Sequence, residues 1–405
     1  MQSIWRCGAA GVFLLIVGPI MTRAEAPGRS ALESPAKPLP VEVASLESAK
    51  ESPGRAVPDG SVGGQLPAEK PVPAMQVVPL PYDQASFQYL GRELTRYHFG
   101  PGLQRPFLYP VAGPEGRSLT RMGHPRDPFG HSHHNSIWIS HADVGGVNFW
   151  ADRDKTPPGR IVCQRIEQYE DGERSAWFLA LNVWQDGQGK AVLLERRRIE
   201  VQLVDREHWW ILIDMELAPP DRGPVTIGQS PFGMIGVRMA KTIGVADGGG
   251  RLLNSEGQLG EPAMFRKPAR WVDYSGPILP VSPPSVESKS PPSAADPKQP
   301  TTGPAGQSTA PGEKRSPELT KYCAGITLMD HPANPGHPTP FHVRSDGWMG
   351  ASLTLAGPIT IQPGQPLRLR YGLWIHPGVP AQAQIDAQWQ QFAKSPLPAI
   401  PPRKM

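Results

Sequence analysis

Apolar residues recur at every second position through much of this chain, and that period is the strongest constraint on its fold. Alternate side chains of an extended strand point to opposite faces. In "HWWILIDMELA", Trp209, Ile211, Ile213, Met215 and Leu217 therefore share one face. In "SAWFLALNVWQD", Trp177, Leu179, Leu181 and Val183 form one apolar row, and Phe178, Ala180 and Trp184 populate the other. A strand apolar on both faces belongs inside a layered structure. Further strands are expected over 88–99, 159–169, 191–204, 233–241, 322–330, 348–355 and 367–376, with turn signals such as "EDGE", "QDGQGK" and "QPGQP" between many of them. One helix is expected near the end, where Pro380 opens "PAQAQIDAQWQQFAK" and Ile385, Trp389 and Phe392 recur at helical spacing. The expectation is an all-β fold: one large antiparallel β-sandwich with one short C-terminal helix.

Fifty of the 405 residues are proline, and they cluster. Residues 27–81 and 277–317 are rich in Pro, Ser, Ala and Lys and poor in large apolar side chains, too poor to offset the entropy of ordering. They read as a disordered linker and a disordered insert, leaving a domain at 82–400 that the insert interrupts. Residues 1–26 have the layout of a secretory signal, with Arg6 before "CGAAGVFLLIVGPIM" and small residues in "TRAEA". No later stretch is apolar enough to span a bilayer. The expectation is an exported protein, periplasmic or extracellular. Cys163 and Cys323 then stand either as a disulfide or as two thiols. The net charge of +4 is small, and a strand would split the arginines of "LLERRRIEVQL" between faces, so no nucleic-acid patch is expected.

Against this background the stretch "GHSHHNSIWISHADVGGVNFW" is unusual, because buried imidazoles need hydrogen-bond partners that a packed core does not require. On a strand, His131 and His133 would point together and His134 away; His-x-His is a metal-binding spacing that needs a third ligand. A second cluster, "MDHPANPGHPTPFHVRSDGWMG", brings Asp330, His331, Asn334, His337, His342 and Arg344 together on proline-stiffened loops, and "YGLWIHPG" adds His376 at a strand end. These segments are expected to converge. The acid–base pair would be His133 or His134 with Asp330 or His342. Arg344 would hold developing negative charge. His141, Asn148, Trp150, His331, His337 and His376 would contact substrate. Trp138, Phe149, Trp150, Phe341 and Trp348 offer flat faces for a sugar ring, whereas Trp374, on a regular strand, reads as core.

"RPFLYPVAGPEGRSLTR", "DPFGHSHHNSIWISHADVGGVNFWAD", "SPFGMIGVRMA", "RWVDYSG" and "MDHPANPGHPTPFHVRSDGWMGAS", in that order, resemble the bacterial domain family labelled methane oxygenase PmoA-like, itself of unknown function. In place of that family's DHPHH-type segment this chain has Phe129, Gly130, His131, Ser132, His133 and His134. The resemblance implies a secreted bacterial β-sandwich, akin to sugar mutarotase-like supersandwiches, and not a methane oxygenase, whose subunit spans the membrane many times. Three functions follow as expectations: a carbohydrate-active enzyme of epimerase, lyase or hydrolase type; an enzyme dependent on a divalent metal at His131 and His133; and a non-catalytic glycan-binding module. The partner in each is a carbohydrate or other small molecule.

Overall fold

The alternating segments form strands, and the strands form two large antiparallel sheets. The computed structural model describes residues 71–114, 116–124, 130–153, 157–278 and 322–401. The first sheet contains β1 (Met75–Leu80), β2 (Gln84–Tyr89), β3 (Arg92–His98), β4 (Phe107–Val111) and β5 (Ile137–His141). The chain then crosses to the second sheet through β6 (Arg160–Glu170), β7 (Ser175–Gln185), β8 (Ala191–Leu203) and β9 (Trp209–Ala218). After them come β10 (Val225–Ile227), β11 (Gly233–Arg238), the one-turn α1 (Val245–Gly248), β12 (Arg251–Asn254), the one-turn α2 (Glu261–Met264), β13 (Lys267–Pro268) and β14 (Trp271–Pro277). The remainder is β15 (Cys323–Asp330), β16 (Pro340–Arg344), β17 (Trp348–Ser352), β18 (Ile359–Ile361), β19 (Leu367–Pro377) and α3 (Gln382–Lys394). The sheet orders are β1-β2-β3-β4-β5-β11-β17-β16-β13 and β12-β14-β15-β19-β9-β8-β7-β6, with a small β10-β18 pair.

The main core lies between the two sheets. Trp209, Ile211, Ile213, Met215 and Leu217 of β9 all enter it, as their spacing predicts. On β7 the inward row is Ala176, Phe178, Ala180 and Trp184. Phe178 meets Phe87 and Tyr97 of the facing sheet at centroid distances of 5.5 and 4.8 Å. Each ring of this kind contributes roughly 2–3 kcal/mol by leaving water. The other faces of β9, β14, β15 and β19 carry a second cluster of Trp210, Leu212, Trp271, Met329 and Trp374, which α3 covers with Ile385 and Phe392. Trp374 is thus core, as read from its strand.

The strand expected over 88–99 is two antiparallel strands, β2 and β3, because Leu90 and Gly91 adopt positive φ angles of 49° and 77° and turn the chain, and two domain boundaries also differ from the sequence reading. β1 lies within residues assigned to the linker, and its Met75 and Val77 alternate into the core although Pro79 ends the apolar pattern early. β14 runs to Pro277, the first residue assigned to the insert, because that strand pairs with β15 as far as Cys323. The signal segment, linker residues 27–70 and insert residues 279–317 lie outside the described residues. Cys163 and Cys323 are not joined to each other; burial pushes the Cys163 thiol up to about 12. Among the described residues no helix is long and apolar enough to cross a membrane.

Candidate functional site

Alternation also decides what the first sheet turns away from the core. Inward from β5, β11, β16 and β17 point Ile137, Ile139, Ile235, Val237, Phe341, Val343, Met349 and Ala351. Outward, one register row runs Phe107, Trp138, Gly236, Gly350, His342 across five strands. The next row places Trp348 between Arg238 and Arg344. The two central glycines keep this face low: a Cβ on Gly236 would lie 2.5 Å from the Trp138 ring, and one on Gly350 would lie 2.7 Å from the Ile235 carbonyl oxygen. Trp138, Trp348 and Trp150 pack there as a third apolar cluster with Phe107. Above them opens a cleft of about 630 Å³ whose walls include His131, His133, His134, Asn148, Trp150, Phe232, Arg238, Glu261, His342, Arg344, Asp346 and Trp348.

The histidine-rich segment reaches this face as a turn, not as the strand its spacing suggests. The His134 N–H donates to the His131 carbonyl at 3.2 Å, and the Gly123 N–H donates to that of His134 at 2.7 Å. In a turn the rings need not alternate. All three come together, with centroids 5.9 Å apart for His131 and His133, 4.8 Å for His131 and His134, and 4.5 Å for His133 and His134. Arg105 fixes the turn. Its buried guanidinium donates to the carbonyls of His133, Phe149 and Trp150 and to the side chains of Asn135 and Asp152, at 2.8–3.2 Å. One cation thereby ties the histidine turn to the segment bearing Trp150.

The charged groups of the cleft are largely paired with one another. Asp346 accepts from Arg238 at 2.8 Å through one oxygen and lies 3.2 Å from His124 through the other. Burial would raise its carboxyl, but Arg238 and then His124 hold it below the usual carboxylate range. Glu261 likewise takes Arg344 at 2.8 Å and the Ser345 N–H at 2.7 Å, which outweigh its burial and keep it ionised. Arg344 also lies 4.4 Å over the Phe265 ring.

The imidazoles behave differently. His342 is pushed down to about 4, first by burial and then by the Arg344 charge, with the nearby Pro231 carbonyl opposing this. Burial, followed by His133 and Arg238, drives His134 far below its ordinary value. Both rings are neutral at pH 7. His134 stacks on Trp348 at 5.8 Å, while His342 meets the same indole edge-on at 4.1 Å. Nδ1 of His134 and both ring nitrogens of His342 are buried with no hydrogen-bond partner among the described residues.

Of the residues given an acid–base, charge-holding, substrate-contact or metal role from sequence, His131, His133, His134, Asn148, Trp150, His342 and Arg344 line the cleft. The other five do not. Asp330, expected as an acid or base, is buried at the end of β15 and accepts from Asn334, from the Thr339 N–H and from His337. His337 stacks on Trp389 of α3, and His331 packs edge-on against Phe392 while reaching the Ser395 carbonyl. This loop docks the helix onto the second sheet. His376 is buried beside Asp273, 2.9 Å away. Nδ1 of His141 lies against the Asp143 backbone, 2.9 Å from its carbonyl oxygen and 3.0 Å from its nitrogen, Nε2 lies 2.8 Å from the Thr354 hydroxyl, and burial pushes the ring down to about 4. His141 and His376 therefore act as internal hydrogen-bonding groups. As for a metal, no group of three or more His, Cys, Asp or Glu with metal-holding geometry is present among the described residues.

Sequence reasoning missed Arg238, Asp346, Glu261, Phe232 and Arg105. Arg238 carried a readable signal, an arginine closing the apolar strand "GMIGVR". The others depend on loop paths that no local pattern encodes.

The model of a family of unknown function, DUF6807, matches residues 84–390, and the chain belongs to that family. Nothing in the match links it to the PmoA-like domains that the motifs resemble. No curated protein matches the chain.

Proposed function

We propose that this chain is a carbohydrate-active enzyme, of epimerase, lyase or hydrolase type, that works through the histidines of the cleft. One observation carries the reading: two buried, neutral imidazoles, His134 and His342, flank one indole with ring nitrogens unclaimed by the protein. A neutral imidazole can take a proton from a bound substrate through its bare nitrogen, or polarise a substrate oxygen through its N–H. Two such rings on opposite sides of a ligand can divide those tasks. Trp150, Phe232 and Trp348 supply apolar faces of the kind that pack on a sugar ring. Export is part of this reading, on the strength of the apolar run that follows Arg6.

With Asp330 engaged elsewhere, the pair reduces to His133 or His134 on one wall and His342 on the other. A panel of sugars and sugar acids, assayed for turnover with the wild type and with His342→Ala and His133→Ala, tests this. Loss of turnover with an unchanged circular dichroism spectrum is expected. Turnover that survives both substitutions rejects the assignment. A ligand that binds and is recovered unaltered identifies a glycan-binding module instead, a reading that the same aromatic faces support.

A further inference from the structure

Among the described residues, the unclaimed polar atoms of the cleft walls are not a balanced set. They comprise Nε and Nη2 of Arg238, Nε1 of Trp348, Nδ1 of His134 and both ring nitrogens of His342. The guanidinium and indole atoms are donors only, and a neutral imidazole brings a donor with each acceptor. Among the described residues the carboxylates of the cleft are already engaged. Both oxygens of Asp346 face Arg238 and His124, and both oxygens of Glu261 take Arg344 and the Ser345 N–H. Buried donors left without acceptors are costly, so a ligand of this cleft is favoured to the extent that it brings acceptors without donors. A neutral sugar does not do so, since every hydroxyl brings its own hydrogen. A carboxylate does.

The arrangement is specific as well as donor-rich. Arg238 is fully buried, at 0 % exposure, and Asp346 engages only its Nη1. The edge left over, Nε with Nη2, carries two parallel N–H groups whose spacing matches the two oxygens of a carboxylate. Trp348, its register partner on β17, adds a further donor beside it.

We infer that the cleft takes a sugar acid, its carboxylate held by the Nε–Nη2 edge of Arg238 with the Trp348 indole N–H as an added donor. The inference rests on the reading of the cleft as a sugar site. It also gives the neutral histidines a purpose: the carboxylate's charge raises their basicity once the ligand is bound, where a proton is to be taken up.

Calorimetric titration with matched pairs tests the inference: D-glucuronate against D-glucose, D-galacturonate against D-galactose, D-mannuronate against D-mannose, with D-glucose 6-phosphate as a further ligand. At least one uronate is expected to bind about tenfold or more tightly than its neutral partner, the range of a charge-assisted bidentate contact. Arg238→Lys, which keeps the charge and loses the fork, should cut that preference to about threefold or less. Trp348→Phe keeps an aromatic ring and removes one donor; it should lower affinity for the uronate by a larger factor than affinity for its neutral partner, and it decides the matter should the arginine variant fail to fold. Equal affinity within every pair, with turnover still dependent on His342, overturns the inference and leaves the sugar reading standing. Binding of no sugar of either kind overturns both. Tightest binding of the phosphate overturns the carboxylate assignment in favour of a phosphorylated sugar.

Discussion

His342 and Trp348 meet edge to face across the β16–β17 hairpin, with ring centroids 4.1 Å apart. The contact joins the two features that define the cleft, an imidazole without hydrogen-bond partners and an indole shared with His134. Phe232 and Phe265 enclose the same imidazole at 5.3 and 4.8 Å. An apolar cage around a polar ring is a poor choice for stability and a sound one for a group that must meet a ligand.

His342→Phe tests that trade directly. The phenyl ring fills nearly the same volume and removes two buried nitrogens that no protein group satisfies. Stability in urea unfolding should stay level or rise by about 1 kcal/mol, while ligand affinity or turnover is lost. A fall of more than about 2 kcal/mol would mean that the protein itself depends on those nitrogens.

Acid should weaken the fold in a defined window. His342 and His141 both move from 6.5 down to about 4 on folding, chiefly through burial. Below pH 6.5 the unfolded chain takes up protons that the folded chain refuses, so the share of these two rings is lost as pH drops from about 6.5 to about 4, while His134, lowered further, goes on losing its share in more acidic solution. His342 and His141 each account for at most roughly 3 kcal/mol. Asp346 and Glu261 are shifted down from 3.8 and 4.5, so their contributions are present above those values and are lost only in more acidic solution. Urea midpoints at half-unit pH steps should show this slope, reduced in His342→Phe. An identical slope in both proteins would contradict the burial of His342 as the cause.

Where the fold was legible in the sequence, the reason was alternation against a single core. Trp209 to Leu217 and the helix bearing Ile385 and Phe392 sit where their spacing puts them. The site was legible only in part. His342 and Arg344 share a face because they are two apart on one strand, and that needs nothing beyond local geometry. His131, His133 and His134 lie in a turn that Arg105 holds from a distant segment, so strand logic split apart three rings that in fact adjoin. Asp330 and His337 had the composition of a site and the role of a hinge for α3, a difference that arises only when the helix packs. Clustering of histidines along a chain reports that polar groups are concentrated; it does not report which cavity they face.

Arg105 should be the most sensitive position near the cleft. Five acceptors converge on a side chain that is 1 % exposed, and one of them belongs to Asp152, 2.8 Å away. Arg105→Ala leaves that carboxylate and four further acceptors without their cation. A loss of about 3–5 kcal/mol is expected in denaturant unfolding. Arg105→Lys keeps the charge but cannot reach five acceptors at once, so it should fold and still show the histidine turn loosened, as faster amide hydrogen exchange at residues 131–135. Exchange no faster than in the wild type would show that the turn holds itself.

Asp330→Ala separates the two histidine clusters by function. The carboxylate receives Asn334 at 2.7 Å, His337 at 2.7 Å and the Thr339 N–H at 3.0 Å, and the backbone carbonyl of the same residue takes the Trp389 indole N–H at 3.2 Å. Removing the carboxylate strands three donors at the base of α3, which should cost about 2–4 kcal/mol. The cleft lies on the outer face of the other sheet and shares none of these partners. Affinity for any ligand of the cleft should therefore remain within about twofold of wild type, measured well below the unfolding transition, because sites without shared partners behave independently. A variant that folds and loses activity entirely would return Asp330 to the chemistry, and the cleft would then have to extend to the loop that seats the helix.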